Sequence, residues 1–215
     1  MAKTLSHRHL PASLFLRDKE IEQNHLCLSF PGVSLVSEDR FAMNLLSSIL
    51  GGGMSSRLFQ SVREQNGLCY SIYTFTTPHL DTGLLSIYTG LVRRPSARRS
   101  ILSCVNSMNS ARTARPPDEL SRCREQAKTT LLMGLENTGN RMMTIGRSEL
   151  LRGEVSKIEE VLDSYDRVTA DDILNLARRV FDRSKASLAV VGQPDSEDTY
   201  RELLRLNQLC TCLQR

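Results

Sequence analysis

Two runs rich in Tyr, Ile, Thr and Phe, Cys69–Thr77 and Thr82–Gly90, stand only four residues apart. β-Branched and aromatic residues suit a pleated, half-buried surface. The intervening Pro78–Asp81 reads as a hairpin turn, so the two runs are expected to pair as antiparallel neighbours. Other strand candidates lie towards the ends: Ala12–Arg17, then Ile21–Phe30, which Pro31-Gly32 ends, and Ala186–Val191, which Gly192-Gln193-Pro194 ends. The stretch between Gly90 and Ala186 reads as helical. Strands early and late around a helical block, with hairpin-like pairs instead of regular β-α-β alternation, argue for an α+β fold. Its helices should pack on one face of a largely antiparallel sheet.

The helices show in their apolar spacing. Glu38–Leu50 repeats Phe41, Leu45 and Ile49 on one face, with Ser37 in place to cap it. Gly51-Gly52-Gly53 then breaks the helix. Ser55 or Ser56 can cap a second one that runs to about Asn66, and Gly67 suits a left-handed position just past its end. Pro95–Arg112 is expected as a helix. Pro116-Pro117-Asp118-Glu119 opens another, with Leu120, Cys123, Ala127, Leu131 and Leu135 on its inner face. Gly139 is read as a break before a helix over Arg141–Leu151, followed by one over Val155–Tyr165. Thr169-Ala170-Asp171-Asp172 starts a further helix with Ile173, Leu176, Ala177 and Val180 inward, Asp standing where a capping box prefers Glu. This divides the chain into a short extension (1–11), one domain (12–193), and a loosely attached helix or tail (194–215).

Bulk properties narrow the function. Lys and Arg exceed Asp and Glu by 28 to 24, giving a net charge of +4. The densest basic stretch, Arg93, Arg94, Arg98 and Arg99 with Arg112 and Arg115 further on, contains no aromatic side chain to stack on a base, so no nucleic-acid partner is expected. The six cysteines form no C-x-x-C pair. Cys27, Cys69, Cys104 and Cys123 sit in apolar patterns as small buried residues, and Cys210 and Cys212 lie in the polar tail. Residues 1–10 have no apolar core, and no apolar run is long enough to span a membrane, so the expectation is a cytoplasmic protein.

No catalytic set is complete. The four histidines, His7, His9, His25 and His79, form neither H-E-x-x-H nor H-x-x-E-H, so no metal site is expected. No G-x-S-x-G elbow occurs. Gly51–Arg57 could bind an anion at a helix start, but no strand precedes it and no Lys-Ser/Thr follows.

One stretch is more specific. Leu50 to Tyr70 reads LGGGMSSRLFQSVREQNGLCY. It resembles the signature of the second, non-catalytic half of pitrilysin/insulinase-type zinc peptidases, which include mitochondrial processing peptidase and its bacterial relatives. Glu22–Leu26, Asp81-Thr82-Gly83, Ile87–Gly90, Glu119-Leu120, Glu136, Arg141-Met142, Gly146–Leu150, Val168–Ile173 and Ala189–Gly192 resemble further parts of that half in order, so the likeness spans roughly residues 12–193.

The resemblance implies a clamshell of two similar halves. The first half carries H-x-x-E-H and the zinc; the second supplies an Arg and a Tyr seven residues apart, here Arg63 and Tyr70. A Tyr hydroxyl can donate to the oxyanion that forms when water attacks a peptide carbonyl, and a guanidinium can hold substrate carbonyls with its fixed fork. Gly51, Gly52 and Gly53 would let the two flanking helices pack closely and aim Arg63 at the cleft. The implied partners are a peptide or protein substrate and a separate zinc-bearing half or homologous subunit, with self-association a further expectation. Zinc is expected in the partner half and none in this chain. The alternative is a catalytically inactive binding or structural subunit of the same fold.

Overall fold

The computed structural model describes residues 12–91, 96–113 and 117–205; the extension, Cys210 and Cys212 lie outside them. Five strands among these residues form one sheet: β1 (Leu14–Asp18), β2 (Asn24–Pro31), β3 (Ser71–Pro78), β4 (Gly83–Leu91) and β5 (Ser187–Gly192), in the order β1-β5-β2-β4-β3. Three of the four pairings are antiparallel; β1 and β5 pair parallel. The expected hairpin is β3–β4, closed by the His79 N–H donating to the Thr82 carbonyl at 2.8 Å.

Among the described residues seven α-helices accompany the sheet: α1 (Arg40–Gly51), α2 (Ser96–Thr113), α3 (Pro117–Glu136), α4 (Thr138–Arg152), α5 (Ile158–Arg167), α6 (Ala170–Val180) and α7 (Glu197–Arg205). Alternation along the strands explains the one-sided packing. Leu26, Leu28 and Phe30 of β2, Leu85 and Ile87 of β4, Ile72 of β3 and Leu188 and Val190 of β5 are all buried on one face. Against them lie Leu45, Leu46 and Ile49 of α1, Ile101, Val105 and Met108 of α2, and Ile173, Leu176 and Val180 of α6. The opposite face carries Phe15, Tyr73, Phe75 and Leu84, all exposed. The α+β architecture with helices on one face is therefore the observed one.

Local chemistry moves several boundaries. Asp39, not Ser37, occupies the cap position of α1; the Ser37 hydroxyl instead accepts from the Asp39 N–H at 3.2 Å. The break between α3 and α4 falls at Asn137, not Gly139, because the Asn137 side chain caps α4 by accepting from the Asn140 N–H at 3.1 Å and Gly139 lies inside that helix. The tail helix α7 is docked by Tyr200, which is fully buried and whose hydroxyl accepts from the Asp195 N–H at 3.1 Å. Asn24 staples β2 to the end of β5: its Oδ1 accepts from the Gln193 N–H at 2.6 Å and its Nδ2 donates to the Gln193 carbonyl at 3.2 Å.

Candidate functional site

The segment between α1 and β3 holds both expected site residues. Phe59–Glu64 is a π-helical segment where an α-helix was expected, and the Gln65 N–H reaches back five residues to the Gln60 carbonyl at 2.9 Å. Such wide turns recur at functional sites, and no residue type in the segment announces one. Leu58 and Val62, each fully buried, anchor it to the core. The Ser61 and Ser107 hydroxyls, 2.7 Å apart, tie it to α2. Arg57 ties its start to α3 by donating from Nε and Nη2 to Glu119 Oε2 at 3.0 and 2.7 Å.

Gly67 then turns the chain back. Its φ is +59° and its N–H donates to the Arg63 carbonyl at 2.9 Å, the left-handed helix ending that glycine favours. Leu68 donates to the Val62 carbonyl at 3.0 Å, and Tyr70 to the Gly90 carbonyl of β4 at 3.2 Å. This reversal sets Tyr70 beside the segment that carries Arg63, at the start of β3.

The geometry brings Arg63 and Tyr70 together. The Arg63 guanidinium carbon lies 5.4 Å from the centre of the Tyr70 ring and 4.7 Å from that of Phe59. Stacked between two aromatic rings, the guanidinium keeps its charge near solvent while its long side chain loses much of its freedom. Glu64 offers only a distant ion pair, Oε1 to Arg63 Nε at 3.9 Å. Tyr70 is 67% exposed. Phe59, the second ring that holds Arg63, was missed at the sequence level; its place four residues before Arg63 was the available signal. Next to Tyr70, burial pushes the Cys69 thiol upwards and keeps it protonated.

The three glycines play separate parts. A β-carbon on Gly51 would stand 2.6 Å from the Thr74 backbone nitrogen, so this glycine lets the end of α1 lie against β3. The close approach is thus to a strand, not to the following helix. Thr74 also exchanges hydrogen bonds with α1, donating from its hydroxyl to the Ser47 carbonyl at 2.6 Å and accepting from the Ser47 hydroxyl at 3.0 Å. Gly52 is tight against Ser48 of α1, whereas Gly53 has open space around it.

His25 and His79 are not brought together. His25 Nδ1 lies 2.6 Å from the Tyr88 hydroxyl on the open sheet face, and His79 sits in the β3–β4 turn. Among the described residues no group of three or more His, Cys, Asp or Glu is placed to hold a metal ion. No helix among them is long and apolar enough to cross a membrane.

A one-sided α+β sheet with an exposed Arg–Tyr pair at one strand end, and no metal-ligand cluster among its described residues, defines a class of domain. Such a site can offer hydrogen bonds and positive charge to a ligand. Comparison with known proteins names that class: a family model described as the Peptidase M16 inactive domain matches residues 3–127. The chain belongs to the peptidase M16 family, as a domain of this inactive type.

An uncharacterized zinc protease of Streptomyces coelicolor is 41% identical over 176 residues, covering 81% of this chain and 38% of that protein. The uncharacterized zinc protease YmxG of Bacillus subtilis is 36% identical over 178 residues, covering 82% and 43%. The chain thus spans less than half the length of these curated relatives. In structure it is similar to the peptidase M16 inactive domain from Pseudomonas fluorescens, with a TM-score of 0.76 at 20% identity over 91% of this chain and 47% of the other. A chain of complex III2 from Candida albicans gives a TM-score of 0.79 at 15% identity, covering 89% and 49%.

Proposed function

We propose that this chain is the non-zinc half of a zinc metalloendopeptidase and contributes substrate binding and oxyanion stabilisation to an active site completed by a separate H-x-x-E-H half. One observation carries the reading. Arg63 and Tyr70, far enough apart in sequence to belong to different elements, share one exposed site that Gly67 folds together. The naming of its relatives as zinc proteases supports the metal chemistry, which the described residues of this chain have no cluster to perform.

The nucleophile would come from the zinc-bearing half. This chain's task is then electrostatic. The Tyr70 hydroxyl donates a hydrogen bond to the carbonyl oxygen as charge grows on it, and Arg63, held in place by Phe59, clamps a neighbouring substrate carbonyl. In this reading the contact between the Arg63 guanidinium and the Tyr70 ring supports a site that needs little reorganisation. The expected compartment, the cytoplasm, is part of the same proposal.

The test is peptide hydrolysis by the purified chain with added zinc, alone and mixed with the zinc-bearing part of a relative. Activity is expected only in the mixture. Tyr70→Phe should lower kcat about 10²–10³-fold, the usual effect of losing one oxyanion donor. Chelator-sensitive activity from the chain alone would overturn the reading. The second reading, a binding or structural subunit without proteolysis, is favoured by the fold shared with a complex III2 chain. A stable mixture that hydrolyses no peptide would select it.

A further inference from the structure

Helix α4, which follows α3 after Asn137, is built unlike the rest of the molecule. No residue of α4 is buried. Several of its exposed side chains are nevertheless apolar, Met142 (65%), Ile145 (45%) and Leu150 (85%) among them, and Met133 of α3 is 64% exposed as well. Met142, Gly146 and Leu150 follow one another at four-residue spacing and Ile145 lies one turn from Met142, so they share one stripe. Unbranched, polarisable methionines suit an adaptable contact surface. Isolated apolar side chains on a surface are ordinary, but a contiguous stripe marks an interaction site.

Gly146 is an independent sign. A glycine inside a helix costs about 1 kcal/mol relative to alanine. Among the described residues no close contact requires it, as none does at Gly134 of α3. A β-carbon at Gly146 would meet no atom within 4 Å, and its φ is not positive. In the middle of an exposed apolar stripe, a missing side chain is useful to a partner whose backbone must come close.

We infer that the Met142–Leu150 face of α4, with Met133 of α3, is the surface on which the zinc-bearing half docks. The inference rests on the two-part peptidase reading. What selects this occupant is length: the relatives that match this chain extend well beyond the matched part, which is 38% of the Streptomyces protein and 43% of the Bacillus one, so a further portion of comparable size accompanies this domain there. A permanent neighbour is the partner that such a stripe fits, since a transient ligand would leave it open to solvent most of the time.

The probe is the portion of the Streptomyces coelicolor zinc protease outside the 176 matched residues, titrated with this chain in a calorimeter. Gly146→Leu fills the notch and Leu150→Glu charges the stripe. Neither touches a buried group, so thermal unfolding of Leu150→Glu should match the parent, and Gly146→Leu should melt at the same temperature or higher because a helix glycine is replaced. Each is expected to weaken binding at least tenfold, and hydrogen exchange of residues 142–150 should slow in the parent complex. Arg63→Ala should bind like the parent, so that loss of hydrolysis with intact docking reports on the Arg–Tyr reading alone. Docking fails as an idea if the parent chain does not bind, or if both variants bind as tightly as it does. It fails equally if the variants dissolve a homodimer of this chain while leaving affinity for the zinc-bearing portion unchanged.

Discussion

Adjacent glycines in this chain have opposite physical meaning. At Gly51 an alanine methyl would press on the Thr74 backbone, and neither α1 nor β3 can retreat from a filled core; Gly51→Ala should cost about 1–3 kcal/mol, the range for overpacking. At Gly53 the same methyl meets nothing and φ is not positive, so Gly53→Ala should leave stability unchanged or raise it by about 0.4–1 kcal/mol through the unfolded chain. Urea unfolding of the two variants checks both signs. The thiols divide similarly. Burial pushes Cys104 up to about 12, while Cys27 is only half-buried. At pH 8.5 a thiol reagent should therefore modify Cys104 only after unfolding and Cys27 in the folded protein, as peptide mapping would show. These distinctions were not legible in the sequence, where three glycines look alike; each is set by what a distant strand places nearby. Arg63 and Tyr70 were singled out by residue type within a resembling stretch, whereas their juxtaposition depends on a backbone reversal that only the φ of Gly67 reports.

Among the elements, α6 shows how far local pattern reaches. Thr169 and Asp172 form a reciprocal capping box although Asp is shorter than the usual Glu: Thr169 Oγ1 accepts from the Asp172 N–H at 3.2 Å, and Asp172 Oδ2 accepts from the Thr169 N–H at 2.8 Å. Thr169→Ala should cost about 1 kcal/mol. The bonds that Thr169 donates to Asp172 hold its carboxyl below the usual carboxylate range. A depressed folded-state value means that this contribution is full above the unfolded value of about 3.9 and fades as pH falls through the lower folded one. The stability gap between the parent and Asp172→Asn should accordingly be widest near neutral pH and close in acid, read from melting temperature against pH. Spacing rules found α6 and its inward residues because local propensity and tertiary burial agree there. They misplaced the start of α1 and the α3–α4 break, where several residues compete to cap and the winner depends on the incoming chain. They could not find the π-helical segment, since the sequence pattern of one extra residue in a turn is that of an ordinary helix.

For the whole molecule, the one-sided sheet was legible from the order of strand-like and helical runs, because a sheet with a single apolar face needs one helical layer. The parallel β1–β5 pair was not, since nothing local joins strands so distant: the Ser13 N–H donates to the Ser187 hydroxyl across 174 residues at 3.1 Å. A chain cut before Ser187 should lose β5 and α7 together and show no cooperative thermal transition, which calorimetry would test. The position of β5 also imposes an order on synthesis. It lies between β1 and β2, so the first two strands leave the ribosome with their shared neighbour still to be made. At about 5–20 residues per second, they wait on the order of ten to thirty seconds or more for it. Throughout that interval two unpaired strand edges and a half-built core stand open to other chains, and the nascent polypeptide is a natural client for chaperones until its last strand slots in.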